Sequence, residues 1–175
     1  MTRPHSLVIA CVLAFAALPA PTAADEPPRP SRRVSTPEDV AAIRDVLDRF
    51  MAAIRAKDGK ALSALVLNDR ILFNSPGDQA RVDAIRQHDT HFDGLGAPGF
   101  REFAQFVATS KAPIEERFWN VQIVQDAHLA WAVFDYEFLE AGKVQNYGVE
   151  AWQLRKTDGK WKIFSVVWSQ HEPGK

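Results

Sequence analysis

Alternation of hydrophobic and polar residues is the strongest pattern in the chain, and it fills the C-terminal third. Four strand-length runs follow one another, at positions 115–125, 129–140, 144–156 and 161–169. Short turn sequences separate them, namely Asp126-Ala-His128, Ala141-Gly142 and Asp158-Gly159. A period of two predicts strands with one buried face, and short turns join antiparallel neighbours. The pattern therefore predicts a four-stranded antiparallel meander.

A helical period precedes these strands. Thr36-Pro37-Glu38-Asp39 offers a capping hydroxyl, a first-turn proline and early acids. Apolar residues then recur on one helical face, at Val40, Ile43, Leu47, Phe50 and Ile54. We predict a long amphipathic helix that ends at Lys57-Asp58-Gly59. Weaker patterns predict helices at 61–67, 81–87 and 100–108, and a short strand at 71–73.

The apolar face of the predicted sheet needs a cover, and the helices are the available one. A twisted sheet with one apolar face curls around a helix to bury that face. We predict an α+β fold with helices packed into the concave face of a curved antiparallel sheet. This arrangement resembles a barrel shaped like a cone with an open mouth. The predicted domain spans residues 36–171.

The N-terminal residues differ from this domain. Arg3, the apolar run 7–18 and the small residues around Ala24 form the three parts of a cleaved secretory signal, so we predict a signal peptide at 1–24. The run is too short to span a bilayer. Cys11 lies within the run, which continues beyond it, so lipidation is the minor interpretation. The Pro- and Arg-rich residues 25–35 are interpreted as a disordered tether. We expect the exported protein in the periplasm or outside the cell.

Composition then limits the partners. Cys11 is the one cysteine of the chain, so the mature domain would rely on its apolar core rather than on disulfides. The formal net charge is −1, with acids and bases interspersed, which argues against nucleic acid and anionic membranes as partners. We expect no cofactor.

Two motifs point to a known family. Residues 129–138 resemble the central strand of the nuclear transport factor 2-like superfamily, and Thr157 to Ile163 with Trp168 and Ser169 resemble its closing hairpin. The resemblance is closest to the SnoaL-like and ketosteroid-isomerase-like bacterial branch. It implies a mostly apolar pocket between helix and sheet, and frequently a homodimer formed through the sheet. The superfamily contains isomerases, dehydratases and members without activity, so the fold does not decide function.

Two catalytic patterns of the family are absent. The ketosteroid isomerases carry an aspartate before a proline after the first strand, and Ser75 stands there in this chain. Members of the cyclase type often have histidines along the final strand, whereas residues 164–167 contain no titratable group.

Other titratable residues remain candidates for catalysis. Asp135 and Glu137 share one strand face with Trp131, and we interpret that face as the outer one, because buried acids are rare unless paired. The facing of Glu150 depends on the register of the last hairpin. His88 and His91 lie in an acidic, polar cluster that could supply an acid or base, and we interpret it as a solvated loop or pocket rim rather than a metal site.

The aromatic residues supply the candidate ligand pocket, which we assign to Phe50, Phe73, Trp119, Trp131, Tyr147 and Trp152. Such walls suit a small hydrophobic or aromatic molecule. Binding of such a molecule without catalysis ranks first on the sequence, and proton-transfer catalysis of the isomerase, dehydratase or cyclase type is the alternative. Two acids converging inside the cone would favour the enzyme.

Overall fold

The computed structural model describes residues 31–96 and 98–174. The predicted signal peptide and most of the predicted tether lie outside the described residues. Residues from Arg32 onward belong to a single compact unit. Within the described part of the chain, no helix is both long enough and apolar enough to cross a membrane.

Four helices and five strands make up this unit. The helices are α1 (Pro37–Ala56), α2 (Gly59–Ser63), α3 (Gln79–Arg86) and α4 (Phe100–Thr109). The strands are β1 (Leu72–Asn74), β2 (Ile114–Asp126), β3 (Leu129–Glu140), β4 (Lys143–Thr157) and β5 (Lys160–Trp168). Helices precede a meander of long strands, so the predicted α+β fold is confirmed, with a curved sheet that does not close into a full barrel.

The sheet has the strand order β1-β5-β4-β3-β2. β2 to β5 form the predicted antiparallel meander, but β1 joins its edge parallel to β5, with Asn74 opposite Val167. The sheet is therefore five-stranded and mixed rather than four-stranded and antiparallel. Local periodicity predicted the strand character of β1, whereas its distant partner depends on how the chain returns past α2.

α1 covers the concave face of the sheet. Its N-cap Thr36 accepts a hydrogen bond from the Asp39 amide at 3.2 Å, and Lys57 ends the helix in the left-handed conformation. The buried residues of α1 lie along one stripe, as predicted from their spacing, at Ile43, Val46, Leu47, Phe50, Ala53 and Ile54. They pack with Trp152, Leu154 and Ile163 of the sheet in one continuous core.

A polar network fixes the start of α1 to the end of the sheet that carries the β2–β3 and β4–β5 turns. The Oδ1 atom of Asp39 accepts hydrogen bonds from Lys156 Nζ at 2.6 Å and from Trp161 Nε1 at 3.0 Å. Its Oδ2 atom accepts one from Gln125 Nε2 at 3.0 Å. The hydrogen bond from Lys156 is the largest of the effects that lower the Asp39 pKa. One carboxylate thus joins α1 to β2, β4 and β5.

The residues just before α1 also contact the sheet. The Val34 amide donates to Asp126 Oδ1 at 3.1 Å, and the Val34 carbonyl accepts from the Ala127 amide at 2.8 Å. The Thr36 amide donates to Gln125 Oε1 at 2.9 Å. The last residues of the predicted tether are therefore bound to the turn between β2 and β3.

We predict that Asp39→Ala lowers the free energy of unfolding by about 1–3 kcal/mol at pH 7, because it leaves the Lys156 ammonium and the buried Trp161 N–H without their acceptor. The lowered pKa of Asp39 gives the sign of the pH effect. Its contribution is present above the unfolded value of 3.8 and is lost as the pH falls through the folded value. Urea denaturation at several pH values measures both effects. Asp45→Ala, on the same helix with an exposed carboxylate, is the matched control. Equal effects of the two substitutions would contradict the prediction.

Candidate functional site

A cavity of about 170 Å³ lies between α1, α4 and the concave face of the sheet. We call it the inner cavity. Its apolar wall consists of rings from both layers, Phe50, Phe73, Phe103, Phe106, Phe138 and Trp168. Its polar groups come from β2, β3, β4 and the residues after β5, namely Glu116, Tyr136, Asn146, Glu150 and Gln170. A mainly apolar cavity with a few convergent polar groups is the usual form of a ligand site.

Strand periodicity explains why these polar side chains meet. Asn146 and Glu150 lie four positions apart on β4 and face inward, and Gly148 between them carries no side chain. A Cβ atom at Gly148 would lie 2.8 Å from Ser169 Oγ and closer still to the Ser169 carbonyl oxygen. Glycine thus lets the chain after β5 run against β4, which brings Gln170 to the inner cavity.

Glu116 and Glu150 are the central feature of the inner cavity. Their exposed fractions are only 6% and 5%, although both are carboxyl groups. Burial raises the pKa of Glu150 to about 8. Burial, and next the negative charge of Glu150, raise the pKa of Glu116 well above its usual value. Two carboxyls that disfavour each other's ionisation hold protons near neutral pH and release them in separate steps.

The two carboxyls differ in their hydrogen bonds. Glu150 Oε2 accepts a hydrogen bond of 2.5 Å from the indole N–H of Trp152, which favours the ionised form of Glu150 and lowers its pKa against the effect of burial. No side-chain hydrogen bond is found for Glu116 among the described residues. Glu150 is therefore the carboxyl that ionises first, and Glu116 is the one that keeps its proton.

Tyr136 adds a neutral hydroxyl to the same wall. Its Oη atom lies 3.0 Å from Asn146 Oδ1 and 3.1 Å from the Ser169 carbonyl oxygen, so it donates to one of these acceptors at a time. Burial, followed by the charges of Glu150 and Glu116, raises the Tyr136 pKa. The hydroxyl therefore stays protonated over the range in which the carboxyls titrate.

The predicted pocket residues divide between the two faces of the sheet. Phe50 and Phe73 line the inner cavity. Trp152 lies behind Glu150, with its ring 4.8 Å from that of Phe50. Trp119 and Trp131 instead lie on the outer face, with 41% and 39% of their surface exposed, because they alternate with the inward residues of β2 and β3.

The predicted catalytic candidates divide in the same way. Glu150 faces the inner cavity, whereas Asp135 and Glu137 are partly exposed on the outer face of β3. Asp135 Oδ2 accepts a hydrogen bond from Asn120 Nδ2 at 2.5 Å. His88 and His91 are exposed in the segment between α3 and α4. Over residues 31–96 and 98–174, no group of three or more His, Cys, Asp or Glu side chains is placed to bind a metal ion.

Sequence reasoning missed Glu116. The residue lies between Glu115 and Arg117, which form an ion pair of 3.1 Å, so the segment resembles a solvated charged run. The signal that could have identified it is alternation, since Ile114, Glu116 and Phe118 occupy the inward positions of β2. The other missed lining residues are Phe103, Phe106, Tyr136, Phe138, Asn146, Trp168 and Gln170.

A second, more polar depression of about 570 Å³ lies next to the inner cavity. We call it the outer cleft. Its lining residues are Ser75, Pro76, Gly77, Asp78, Arg81, Tyr147, Gln170, His171 and Glu172. It includes Tyr147 of the predicted pocket, and it shares Gln170 with the inner cavity.

Comparison with known families agrees with this architecture. The model of the SnoaL-like domain matches residues 43–172, which include every strand of the meander and the inner cavity. The chain belongs to the SnoaL-like domain family. No curated protein matches this SnoaL-like chain.

Solved structures show the same fold at low identity. A conserved protein from Planctomyces limnophilus is 21% identical with a TM-score of 0.58, over 77% of this chain and 98% of that one. A nuclear transport factor 2-like protein of unknown function from Methylobacillus flagellatus is 22% identical with a TM-score of 0.54, over 78% and 95%. A protein from Novosphingobium aromaticivorans, provisionally named a scytalone dehydratase, is 14% identical with a TM-score of 0.56, over 77% and 85%.

We predict that the buried carboxyls of this SnoaL-like domain make it less stable as the pH rises. Their pKa values are raised on folding, so their favourable contribution is complete below 4.5 and is lost as the pH rises through about 8 for Glu150. Glu116→Gln should increase the free energy of unfolding more at pH 8 than at pH 5, and the two increases should differ by about 1 kcal/mol or more. The magnitude follows because a tenfold change in an ionisation constant corresponds to about 1.4 kcal/mol.

Urea denaturation at pH 5 and pH 8 measures this difference. Glu137→Gln is the matched control, because it makes the same chemical change on the outer face of the sheet. If both variants keep the pH dependence of the parent, the carboxyl pair is not the cause of it.

Proposed function

We propose that this SnoaL-like protein is a proton-transfer enzyme that acts on a small uncharged molecule held in the inner cavity. The observation that carries the proposal is the convergence of Glu116 and Glu150, both buried, in one mainly apolar cavity. Burying two carboxyls costs stability, and perturbed titratable groups in a cavity are typical of active sites. On the sequence alone, binding without catalysis ranked above proton-transfer catalysis. The buried carboxyl pair is the reason for the reverse ranking here.

The two carboxyls take different parts in the reaction. Glu150, ionised with the help of the Trp152 N–H, removes a proton from a carbon next to a carbonyl or a leaving group. Glu116, still protonated, donates its proton to the oxygen on which negative charge develops. The Glu150 proton then goes to another carbon in an isomerisation or leaves with the leaving group in an elimination, and the enol oxygen returns its proton to Glu116 as the carbonyl forms again. Tyr136, close to both acids, can donate its hydroxyl proton to the same oxygen once it turns from its present acceptors, Asn146 and the Ser169 carbonyl.

The cavity size limits the substrate. A cavity of about 150 Å³ lined by apolar side chains accommodates benzene, so the inner cavity, at about 170 Å³, accommodates one ring or a short branched chain. The aromatic wall favours a flat molecule, and two carboxyls disfavour an anion.

The comparisons support this reaction class only by analogy. The provisional dehydratase name of the Novosphingobium aromaticivorans protein concerns an elimination, which needs one base and one acid. At 14% identity the likeness is one of fold. The proposal therefore depends on Glu116 and Glu150 of this chain.

We predict that the protein catalyses incorporation of deuterium from D2O next to the carbonyl of cyclohexanone, a ring that matches the inner cavity. Glu150→Gln should slow the enzymatic exchange by about a hundredfold or more, because a positioned general base contributes that much. The rate should rise as the pH approaches about 8, where Glu150 ionises. Mass spectrometry of the ketone measures the exchange.

Three variants make this experiment specific. Glu116→Gln should slow the exchange, Trp152→Phe should move the rise in rate to higher pH, and Glu137→Gln should leave both unchanged. Exchange no faster than in buffer, or an active Glu150→Gln variant, would leave binding without catalysis as the better description.

We also propose that the protein is exported and works as a homodimer through the outer face of the sheet. Large apolar side chains on β2, β3 and β4 are each about two-fifths exposed there, at Trp119, Val124, Trp131, Val133 and Val149. Strand pairing places Val124 beside Trp131, and Trp119 and Val149 on either side of Asp135, so these side chains form one mainly apolar patch around that carboxylate. A contiguous apolar patch is unusual on a monomer, and a second copy presents the same surface about a two-fold axis.

We predict that light scattering finds a dimer for the mature protein and a monomer for Val133→Glu, since a buried unpaired charge at the centre of the patch opposes association. Val34→Glu, which alters an exposed apolar residue before α1, is the control. A monomeric parent protein, or a dimeric Val133→Glu variant, would refute this interface.

A further inference from the structure

The outer cleft exists because two neighbouring chain segments diverge. β1 and β5 stay paired as far as Asn74 and Val167. The segment after β1 then turns away into the start of α3. The segment after β5 instead continues along β4, where the His171 amide donates to the Tyr147 carbonyl at 2.9 Å. The gap between them opens beside the inner cavity.

Gln170 lies at the junction of the two spaces and lines both. Its position is fixed on each side. The Oγ atom of Ser169 accepts a hydrogen bond from the Val149 amide at 3.0 Å, and the Ser169 amide donates one to the Val149 carbonyl at 3.0 Å. His171 pairs with Tyr147 in both directions. The side-chain amide of Gln170 can therefore donate to or accept from a molecule that reaches from one space to the other.

The lining of the outer cleft differs in chemistry from that of the inner cavity. It combines hydroxyl, amide and imidazole groups with the rings of Tyr147 and His171, whose centroids are 5.5 Å apart. Its charged residues are one base, Arg81, and two acids, Asp78 and Glu172. Since acids outnumber bases, the cleft offers no surplus of positive charge to an anion. Mixed donors and acceptors beside aromatic rings suit an uncharged group with several hydroxyls.

The inner cavity is too small to bind a ligand tightly without contacts outside it. A ligand of one ring makes few contacts, and its affinity is limited by the number of its atoms. Enzymes use contacts with the unreactive part of a substrate to hold the reacting part in place. An extension bound in the outer cleft would supply such contacts.

We propose that the inner cavity and the outer cleft form one two-part site for an amphipathic molecule, a single ring attached to an uncharged, hydroxyl-rich extension such as a glycosyl group. The ring occupies the inner cavity, the extension occupies the outer cleft, and Gln170 contacts the link between them. This inference rests on the proposed function for the inner cavity and adds the class of substrate.

Calorimetric titration of the mature protein tests the two-part site with four probes, phenol, phenyl β-glucoside, glucose and phenyl phosphate. Phenyl β-glucoside should bind about tenfold more tightly than phenol, because it fills both spaces. Glucose and phenyl phosphate should each bind more weakly than the glucoside, the first for lack of a ring and the second for its charge.

Variants then separate the two spaces. His171→Ala, in the outer cleft only, should remove most of the tenfold gain of the glucoside and leave phenol binding unchanged. Phe106→Ala, in the inner cavity, should weaken both. His128→Ala, an exposed histidine at the opposite end of the sheet, is the matched control and should change neither.

Each outcome has a definite meaning. If phenol binds and the glucoside binds no better, the two-part site is wrong while the inner cavity stands. Tightest binding of phenyl phosphate would overturn the uncharged extension, and failure of both ring compounds to bind would overturn the inference altogether. If the glucoside binds as expected but Glu150→Gln has no effect on deuterium exchange, the proposed catalysis fails while the two-part site stands.

Discussion

The hydrogen bond from the Trp152 indole to Glu150 connects the hydrophobic core to the chemistry of the inner cavity. The Trp152 ring lies against Phe50, Phe118 and Phe134, at centroid distances of 4.8, 5.4 and 5.1 Å, and is almost fully buried. Its N–H can therefore point in only one direction, toward a carboxyl that has few other partners. The core that holds α1 against the sheet also determines which carboxyl ionises first.

Buried carboxyls are a cost that the rest of the fold has to offset. Glu116 and Glu150 oppose each other's ionisation, and the described residues that line the inner cavity include no basic side chain. The opposite end of the molecule shows the contrasting arrangement, in which the Asp39 carboxylate is paired with Lys156 and further donors. The paired Asp39 carboxylate stabilises the fold, whereas the unpaired acids of the inner cavity have the perturbed pKa values that the proposed proton transfer needs.

The alternation of side chains across the sheet assigns different tasks to its two faces. On β3, Phe134 and Tyr136 face the helices, while Trp131, Val133 and Asp135 face outward. Inward positions build the core and the inner cavity, and outward positions build the apolar patch assigned to a second copy. Because the side-chain period of a strand is two, one register shift would exchange these tasks.

The sequence by itself determined the elements whose signals are local. The stripe of apolar residues in α1, the alternation in β2 to β5 and the turn at Asp158-Gly159 predicted the α+β fold and the family, because periodicity and turn chemistry depend only on near neighbours. Tertiary structure alone decided the rest. A two-residue turn between Thr157 and Lys160, with an irregularity at Gln153, places Glu150 and Trp152 on the inner face. Glu116 and Glu150 meet in the inner cavity although they lie on β2 and β4, with β3 between them. β1 pairs with β5, which follows it by almost a hundred residues. Such contacts depend on strand register, bulges and sheet curvature, which are set by packing of the whole domain rather than by any segment of the chain.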